Sequence, residues 1–301
     1  MSRKVVEIAG RGLSLSNLEK DLYPSYGFTK AHILEYYRRI ATFILPHLKD
    51  RAVTLKRYPE GVDEDFFFEK RCPSHRPEWA KTAEIRRDDG EQMTVCLVND
   101  LESLIWVENL ASIELHVPLA RAGSPETPDS MVFDLDPGDR ANILNCARVA
   151  LILRDLLSEL RLTSHVKTSG KKGLHVYVPL NRKETTFEDT KKFSKAVAGI
   201  MQKNYPDLVT AKMVKEYRKA KVFINWAQND SSKTMICVYS LRAREKPIVS
   251  FPLEWKELEN LAGSGDPEKL QVMYSEAVSR AEKKGDLFRE VLVKKQRLPY
   301  L

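Results

Sequence analysis

Met131-Val132-Phe133-Asp134-Leu135-Asp136-Pro137 decides how this 301-residue sequence is read. Three apolar residues lead in as a buried strand does, and Pro137-Gly138 stops it. Residues two apart on a strand point to one face, so Asp134 and Asp136 leave the sheet together at its end. Two carboxylates that close repel, and a buried pair needs a proton or a cation. Hard oxygen ligands on a rigid strand end suit Mg²⁺ or Mn²⁺. Two such ions roughly 3.5–4 Å apart are the arrangement of two-metal phosphoryl and nucleotidyl transferases. An ordinary strand-end turn has the same spacing, so the rest of the chain has to decide.

Upstream, residues 1–28 read as an irregular arm, and Thr29 caps a helix to about Leu48. The buried stripe of that helix is Ile33, Tyr36, Tyr37, Ile40, Phe43 and Ile44. Strands are expected over 52–57 and 65–70, then a hairpin over 81–97 turning at Asp88-Asp89-Gly90. Asp100 opens a short helix, and 112–118 is a strand. Downstream, Asp139 is expected to cap an apolar helix to about Leu160. Strands over 164–168, 174–178, 221–227 and 235–239 follow, with helices over 187–204, 254–261 and 266–284. Mixed strands and helices without repeats or long linkers predict an α+β fold, with two lobes around a cleft.

Composition fits a globular chain, 43% hydrophobic and 30% charged. No apolar run approaches the ~20 residues that span a bilayer, and Met1-Ser2-Arg3-Lys4-Val5 is no secretory signal, so a cytoplasmic protein without membrane contact is expected. Cys72, Cys96, Cys146 and Cys237 lack CxxC spacing and read as reduced thiols; Cys72-x-x-His75 has no second half for a zinc site. The formal charge of +7 beside metal-binding carboxylates suggests a polyanionic substrate such as nucleic acid.

Other stretches carry chemistry. Thr168-Ser169-Gly170-Lys171-Lys172-Gly173-Leu174-His175 is a Gly-rich turn between strands, where backbone N–H groups, a hydroxyl and lysines can meet a phosphate. It is no Walker A loop, because a strand follows it. Val222 to Asp230 is a second apolar strand ending in polar residues, with Asn225 at its end. Arg242 and Arg244 offer guanidinium forks. Taken singly, each of these also fits a basic turn, a core histidine or a solvated loop.

Together, in order, they resemble the archaeo-eukaryotic primase superfamily. Within it they are similar to the polymerase module of bacterial ligase D and its free-standing archaeal relatives, which act in end joining of double-strand breaks. The segments are Leu15-Ser16-Asn17-Leu18-Glu19-Lys20-Asp21-Leu22-Tyr23-Pro24, Thr29-Lys30, Leu55-Lys56-Arg57-Tyr58-Pro59-Glu60-Gly61 and Phe67-Phe68-Glu69-Lys70. They continue through Phe133–Pro137, Ser169–His175, Trp226-Ala227-Gln228-Asn229 and Tyr239-Ser240-Leu241-Arg242.

The resemblance implies one primase-polymerase domain over 1–301, with residues 1–50 contributing a 5′-phosphate pocket and 51–301 the catalytic core. It implies a primase-like core of mixed and antiparallel sheets flanked by helices. Asp134 and Asp136 would hold two divalent cations, Mn²⁺ or Mg²⁺. Ser169, Lys172, Gln228 and Arg242 would grip the incoming nucleotide, with Lys56 and His116 near its sugar or phosphates. Asn17, Lys20 and Lys30 would hold the downstream 5′-phosphate, and Arg57 and Arg218 would also face DNA. Phe67 and Phe68 fall where the family stacks a ring on the templating base; because they alternate on a strand, one is expected in the core. The 82–95 hairpin matches a loop that brings DNA ends together, and 215–219 a loop near the metals.

Related sequences carry a third Asp where this chain has Asn225. Asn keeps the shape but loses a charge and half the acceptor capacity, which predicts weak primer extension. The expected activity is short gap filling with ribonucleotides at broken ends carrying a 5′-phosphorylated downstream strand or a 3′ overhang. A Ku-like protein, a separate ligase and a second copy across the break are the implied partners. Its rivals are a replicative primase, a non-catalytic end-bridging protein and a basic metal-dependent hydrolase.

Overall fold

In the computed structural model, which describes residues 3–86 and 89–300, the chain groups into two units, each assembled from separate stretches of sequence. Residues Met1–Gly123, Thr234–Ser250 and Met273–Asp286 form the first. Ser124–Lys233, Phe251–Val272 and Leu287–Leu301 form the second.

The first unit begins with β1 (Arg3–Ile8) and β2 (Arg11–Ser16), an antiparallel pair rather than an irregular arm. Ala9 and Gly10 turn the chain with positive φ (48° and 82°), and Leu13 and Leu15 of β2 alternate inward. The sequence signal was faint because four of the six residues of β1 are exposed. Next come β3 (Asp21–Tyr23), β4 (Phe28–Thr29) and α1 (Lys30–Leu48), whose buried stripe includes Ile33, Tyr36, Tyr37, Ile40 and Ile44. Phe43 of the expected stripe is only half-buried. Tyr36 and Tyr37 donate to the carbonyls of Tyr239 and Ile113 at 2.6 and 3.0 Å, which fixes the helix on the sheet side.

After α1 follow β5 (Thr54–Arg57), β6 (Phe67–Glu69), the hairpin β7 (Thr82–Arg86) and β8 (Gln92–Cys96), α2 (Leu101–Asn109) and β9 (Ser112–Val117). Arg87 and Asp88 of the expected turn lie outside the described residues. The main sheet of this unit runs from the strand Met235–Ile236 through β9 and β5 to β6 at its edge.

Cys72 and Cys96 do not remain thiols but form a disulfide. A sequence separation of 24 carries no spacing signal; the pair meets because β8 brings Thr94 to accept a hydrogen bond from the Cys72 amide at 2.8 Å. Both residues are buried, so a reductant reaches the bond as the chain unfolds. Closing a loop of that size is worth roughly 3 kcal/mol against the unfolded chain. A reducing agent, or Cys72→Ser, is therefore expected to lower the denaturant midpoint by a shift of about that energy. An unchanged midpoint would show that the hairpin base is held without the bond.

The second unit is built around β10 (Ser130–Pro137), the strand quoted at the outset. It is followed by α3 (Ile143–Glu159), β11 (His165–Thr168), β12 (Leu174–Pro179), α4 (Phe187–Asn204), β13 (Val209–Thr210) and β14 (Val222–Asn225). The sheet order is β13, β14, β10, β12, β11 and the strand Pro252–Leu253. β10 is thus interior and apolar on both sides, which explains its unbroken Met-Val-Phe lead-in. The cap of α3 is Asn142 rather than Asp139: its side chain accepts from the amides of Leu144 and Asn145. Asp139 is instead drawn into the strand end, where its carbonyl accepts from Ala220 N at 2.6 Å. The final expected helix is shorter, Tyr274–Lys284, because Val272 and Met273 form a strand. Among the described residues no helix is long and apolar enough to cross a membrane.

Candidate active site

In the second unit, strand register concentrates the polar groups. Asp134 lies opposite His175 on β12 and opposite Asn225 on β14, so three neighbouring strands present side chains at one level. His175 Nε2 is 3.3 Å from Asp134 Oδ1. Asn225 Nδ2 and Gln228 Nε2 donate to Oδ2 at 3.3 and 3.4 Å. Burial opposes ionisation of Asp134, but these donors outweigh it and hold the carboxyl below the usual carboxylate range. Asp136, on the same face, has no such donors. Burial, then the charge of Asp134, pushes it up to about 7, with Arg218 opposing. His175 is therefore a partner of the site and not a passive core residue.

A Cβ on Gly173 would collide with the carbonyl of Leu135, so only glycine lets the β11–β12 turn close against β10. Ser169 Oγ accepts from the amides of Lys171 and Gly173 at 3.1 and 3.2 Å, which shapes the turn and leaves its hydroxyl proton to donate outward. Lys172 is exposed on that turn. Trp226 packs, its indole donating to Ala211 O at 3.1 Å. Asn229 carries a structural role not evident from sequence: its amide both accepts from Val132 N (2.9 Å) and donates to Val132 O (2.8 Å), completing β10 as a strand would. The 215–219 segment folds back on the end of β10, where Gly138 N donates to Lys221 O (2.9 Å) and Arg218 lies 3.7 Å over the Phe223 ring.

The donor set suits a hard cation. Two carboxylates share one strand face, and burial, then the charge of the first, raises the second to about 7. Asp134 and Asp136 supply charged oxygens and Asn225 a carbonyl oxygen. Among the described residues no set of three or more His, Cys, Asp and Glu side chains gathers as a metal cage.

The first unit holds a different cluster. Lys56 on β5 pairs with Glu114 on β9 and Phe68 on β6. Its ammonium lies 3.7 Å from the Phe66 ring centroid, 5.0 Å from Tyr58 and 5.6 Å from Phe68. Glu114 Oε2 meets His116 Nε2 at 2.9 Å and Arg242 at 3.5 Å. Phe66, Phe67 and Phe68 are all exposed (49, 44 and 55%), so neither Phe67 nor Phe68 is a core residue. β6 is an edge strand with cations beside its exposed rings: Lys56 beside Phe66 and Phe68, Arg57 5.0 Å over Phe67. Sequence reasoning missed Tyr58, Phe66 and Glu114. The Phe-Phe-Phe run was visible, but Glu114 sat in an apolar strand with no motif around it.

The N-terminal set divides. Lys20 forms an exposed pair with Glu60 at 2.6 Å, as a surface lysine does. Lys30 is 4% exposed, and its ammonium donates to Ser16 O at 2.7 Å. Burial, then repulsion from Arg57 and Lys20, lowers its pKa to about 8. Asn17 takes a left-handed conformation (φ 54°), and its carbonyl accepts from Lys20 N at 3.0 Å. Arg57 is tied to Glu69 and Leu110 O at 2.9 and 2.8 Å.

Comparison with known proteins places these features. The family model for the LigD primase-polymerase domain matches residues 29–288. The multifunctional non-homologous end joining protein LigD of Mycolicibacterium smegmatis is 39% identical over 275 residues, covering 91% of this chain and 35% of that protein. The bifunctional LigD of Bacillus subtilis is 33% identical over 248 residues, covering 82% and 40%. This chain therefore spans well under half the length of those relatives. Among solved structures, the polymerase domain of Mycobacterium tuberculosis ligase D in complex with DNA matches with a TM-score of 0.86 and 37% identity, over 94% of this chain and 99% of that one. The α+β fold expected from the sequence is the fold of that domain, and the chain belongs to the LigD primase-polymerase family.

Proposed function

We propose that the chain is a template-dependent nucleotidyltransferase that fills short gaps at double-strand break ends during non-homologous end joining. The carrying observation is Asp136, held near pH 7 by burial beside Asp134 on one face of an interior strand. Divalent ions bound at that face, Mn²⁺ or Mg²⁺, would stabilise the attacking and leaving oxygens of an in-line displacement at the α-phosphorus. The primer 3′-hydroxyl forms the new ester bond and pyrophosphate leaves. His175 and Gln228 keep Asp134 ionised for this role. Ser169, Lys172, Gln228 and Arg242 are the nucleotide contacts of this reading, with Lys56 and His116 near its sugar or phosphates, where cations suit phosphate oxygens. Phe66 and Phe68 offer exposed ring faces for a base, and Phe67 another, since stacking accepts any base. Asn17, Lys20 and Lys30 take the downstream 5′-phosphate, with Arg57 and Arg218 as further contacts to DNA. All 301 residues act as one primase-polymerase domain, with ribonucleotides as substrates and a Ku-like protein, a separate ligase and a second copy as partners.

A second reading, an end-bridging protein without synthesis, is favoured by one observation: the Asn225 amide occupies an oxygen of Asp134 that a metal would use. The two separate on a gapped duplex with Mn²⁺ and ribonucleotides. Gap filling, even slow, supports the polymerase; end synapsis with no incorporation by any variant supports bridging.

A further inference from the structure

Glu114 is an acid in the interior of a strand, its side chain 1% exposed and engaged by polar partners. Oε2 meets His116 Nε2 at 2.9 Å and Arg242 at 3.5 Å, while Oε1 accepts from Ala243 N at 3.1 Å. Lys56 stands opposite on β5. The groups near this carboxylate include Lys56 from β5, His116 from its own strand, Arg242 from the strand Leu241–Arg242, and the phenols of Tyr23 and Tyr58. Phe68 closes the side from β6, its ring 6.0 Å from His116. Cations this near repel: burial disfavours the charge of both Lys56 and Arg242, Arg242 further disfavours that of Lys56, and Arg244 that of Arg242. The single carboxylate offsets that repulsion and lets the cations converge without a ligand.

We infer that Glu114 is a positioning residue for nucleotide binding, holding Arg242 and His116 in the geometry in which they meet phosphate. By engaging Nε2 of His116 it fixes the ring orientation, so that Nδ1 is the atom presented to a ligand. The inference rests on the assignment of Lys56, His116 and Arg242 to the nucleotide. It goes beyond that assignment, because Glu114 acts through those side chains and touches no substrate.

The test is a double-mutant cycle on the full chain, read as the dissociation constant of ATP with Mn²⁺. Glu114→Gln keeps the volume and the acceptor for Ala243 N but loses the charge, and is expected to weaken ATP binding roughly tenfold. Arg242→Ala weakens it independently. If Glu114 acts through Arg242 and His116, adding Glu114→Gln to Arg242→Ala costs less than it does in the parent, and adding it to the pair Arg242→Ala and His116→Ala costs nothing further. Losses that multiply, as a general structural defect would give, overturn the inference, as does parent-like affinity in Glu114→Gln. Should the Gln variant not fold, Glu114→Asp replaces it: its carboxyl sits one methylene back, and the same weakening is expected, with parent-like affinity again overturning the inference. A parent chain that binds no ATP sinks the nucleotide assignment itself and the inference with it. A parent that binds, with a variant that matches it, sinks the inference alone.

Discussion

Asn225→Asp is expected to raise primer extension by about 10- to 100-fold, the scale on which metal sites respond to changes around their ligands. In the parent, Asn225 Nδ2 donates to Asp134 Oδ2 at 3.3 Å, so one oxygen of the acid pair is engaged by an amide proton. An Asp at 225 turns that donor into an acceptor. Register then places carboxylates 134 and 225 directly opposite each other on adjacent strands, with 136 on the same face. Three acids so close cannot all ionise without a cation, and with one bound they form the set that the resemblance implies. The change has a second readout that needs no DNA. Without divalent ions the Asp variant should melt below the parent, and Mn²⁺ should raise its melting temperature more than the parent's, because the ion binds the folded state alone. Asn225→Ala removes the amide without adding charge and should leave extension at the parent's level. An Asp variant that extends no better than the parent would mean that the acid count does not limit this site.

What the sequence made legible, and what it hid, follows from the range of the interactions. The β10 strand and its two acids were readable because apolar run, acid spacing and Pro-Gly stop all lie within a few residues. The pairing of Asp134 with His175 and Asn225 was not, because register is set across strands that sequence separates widely. The same holds for Cys72 and Cys96, whose meeting depends on how β8 runs beside residue 72. Glu114 was hidden for a different reason: a lone acid in Ser-Ile-Glu-Leu-His-Val looks like ordinary strand alternation, and only the arrival of Arg242 from a distant strand shows what it serves. The N-terminal hairpin escaped because β1 is mostly exposed and has little apolar periodicity to display. Phe67 and Phe68 were expected to divide between core and surface by alternation, which fails at a sheet edge where both rings stay exposed, each beside a cation.

Lys30 carries the second large effect. From sequence alone a lysine after Thr29 is most simply a solvated helix residue, but its ammonium is buried against Ser16 O. Burial and the neighbouring charges of Arg57 and Lys20 lower its pKa to about 8. Among the described residues it forms no ion pair, whereas Lys20 has Glu60 and Arg57 has Glu69. A buried cation kept near two others, at the N-terminus of a 19-residue helix, is poised for a doubly charged anion. A charge-assisted bond of this kind is worth about 1.5–3 kcal/mol, or roughly 10- to 150-fold in affinity. The parent is therefore expected to prefer a gapped duplex with a downstream 5′-phosphate over one ending in a hydroxyl. Lys30→Met, which keeps the buried stem, should erase most of that preference while leaving affinity for the hydroxyl duplex unchanged. The pH dependence has a definite sign. With a folded pKa of about 8, below the 10.5 of an ordinary lysine, Lys30 is charged at pH 7 and loses its proton as the solution is made alkaline. Phosphate preference should then fade above about pH 8 in the parent, later if the phosphate itself raises the pKa, and stay flat in Lys30→Met. Between about 8 and 10.5 the unfolded chain holds the extra proton, so this residue should add stability as pH rises through that window. A preference that survives in Lys30→Met would place the 5′-phosphate elsewhere and leave the buried ammonium as a device of folding alone.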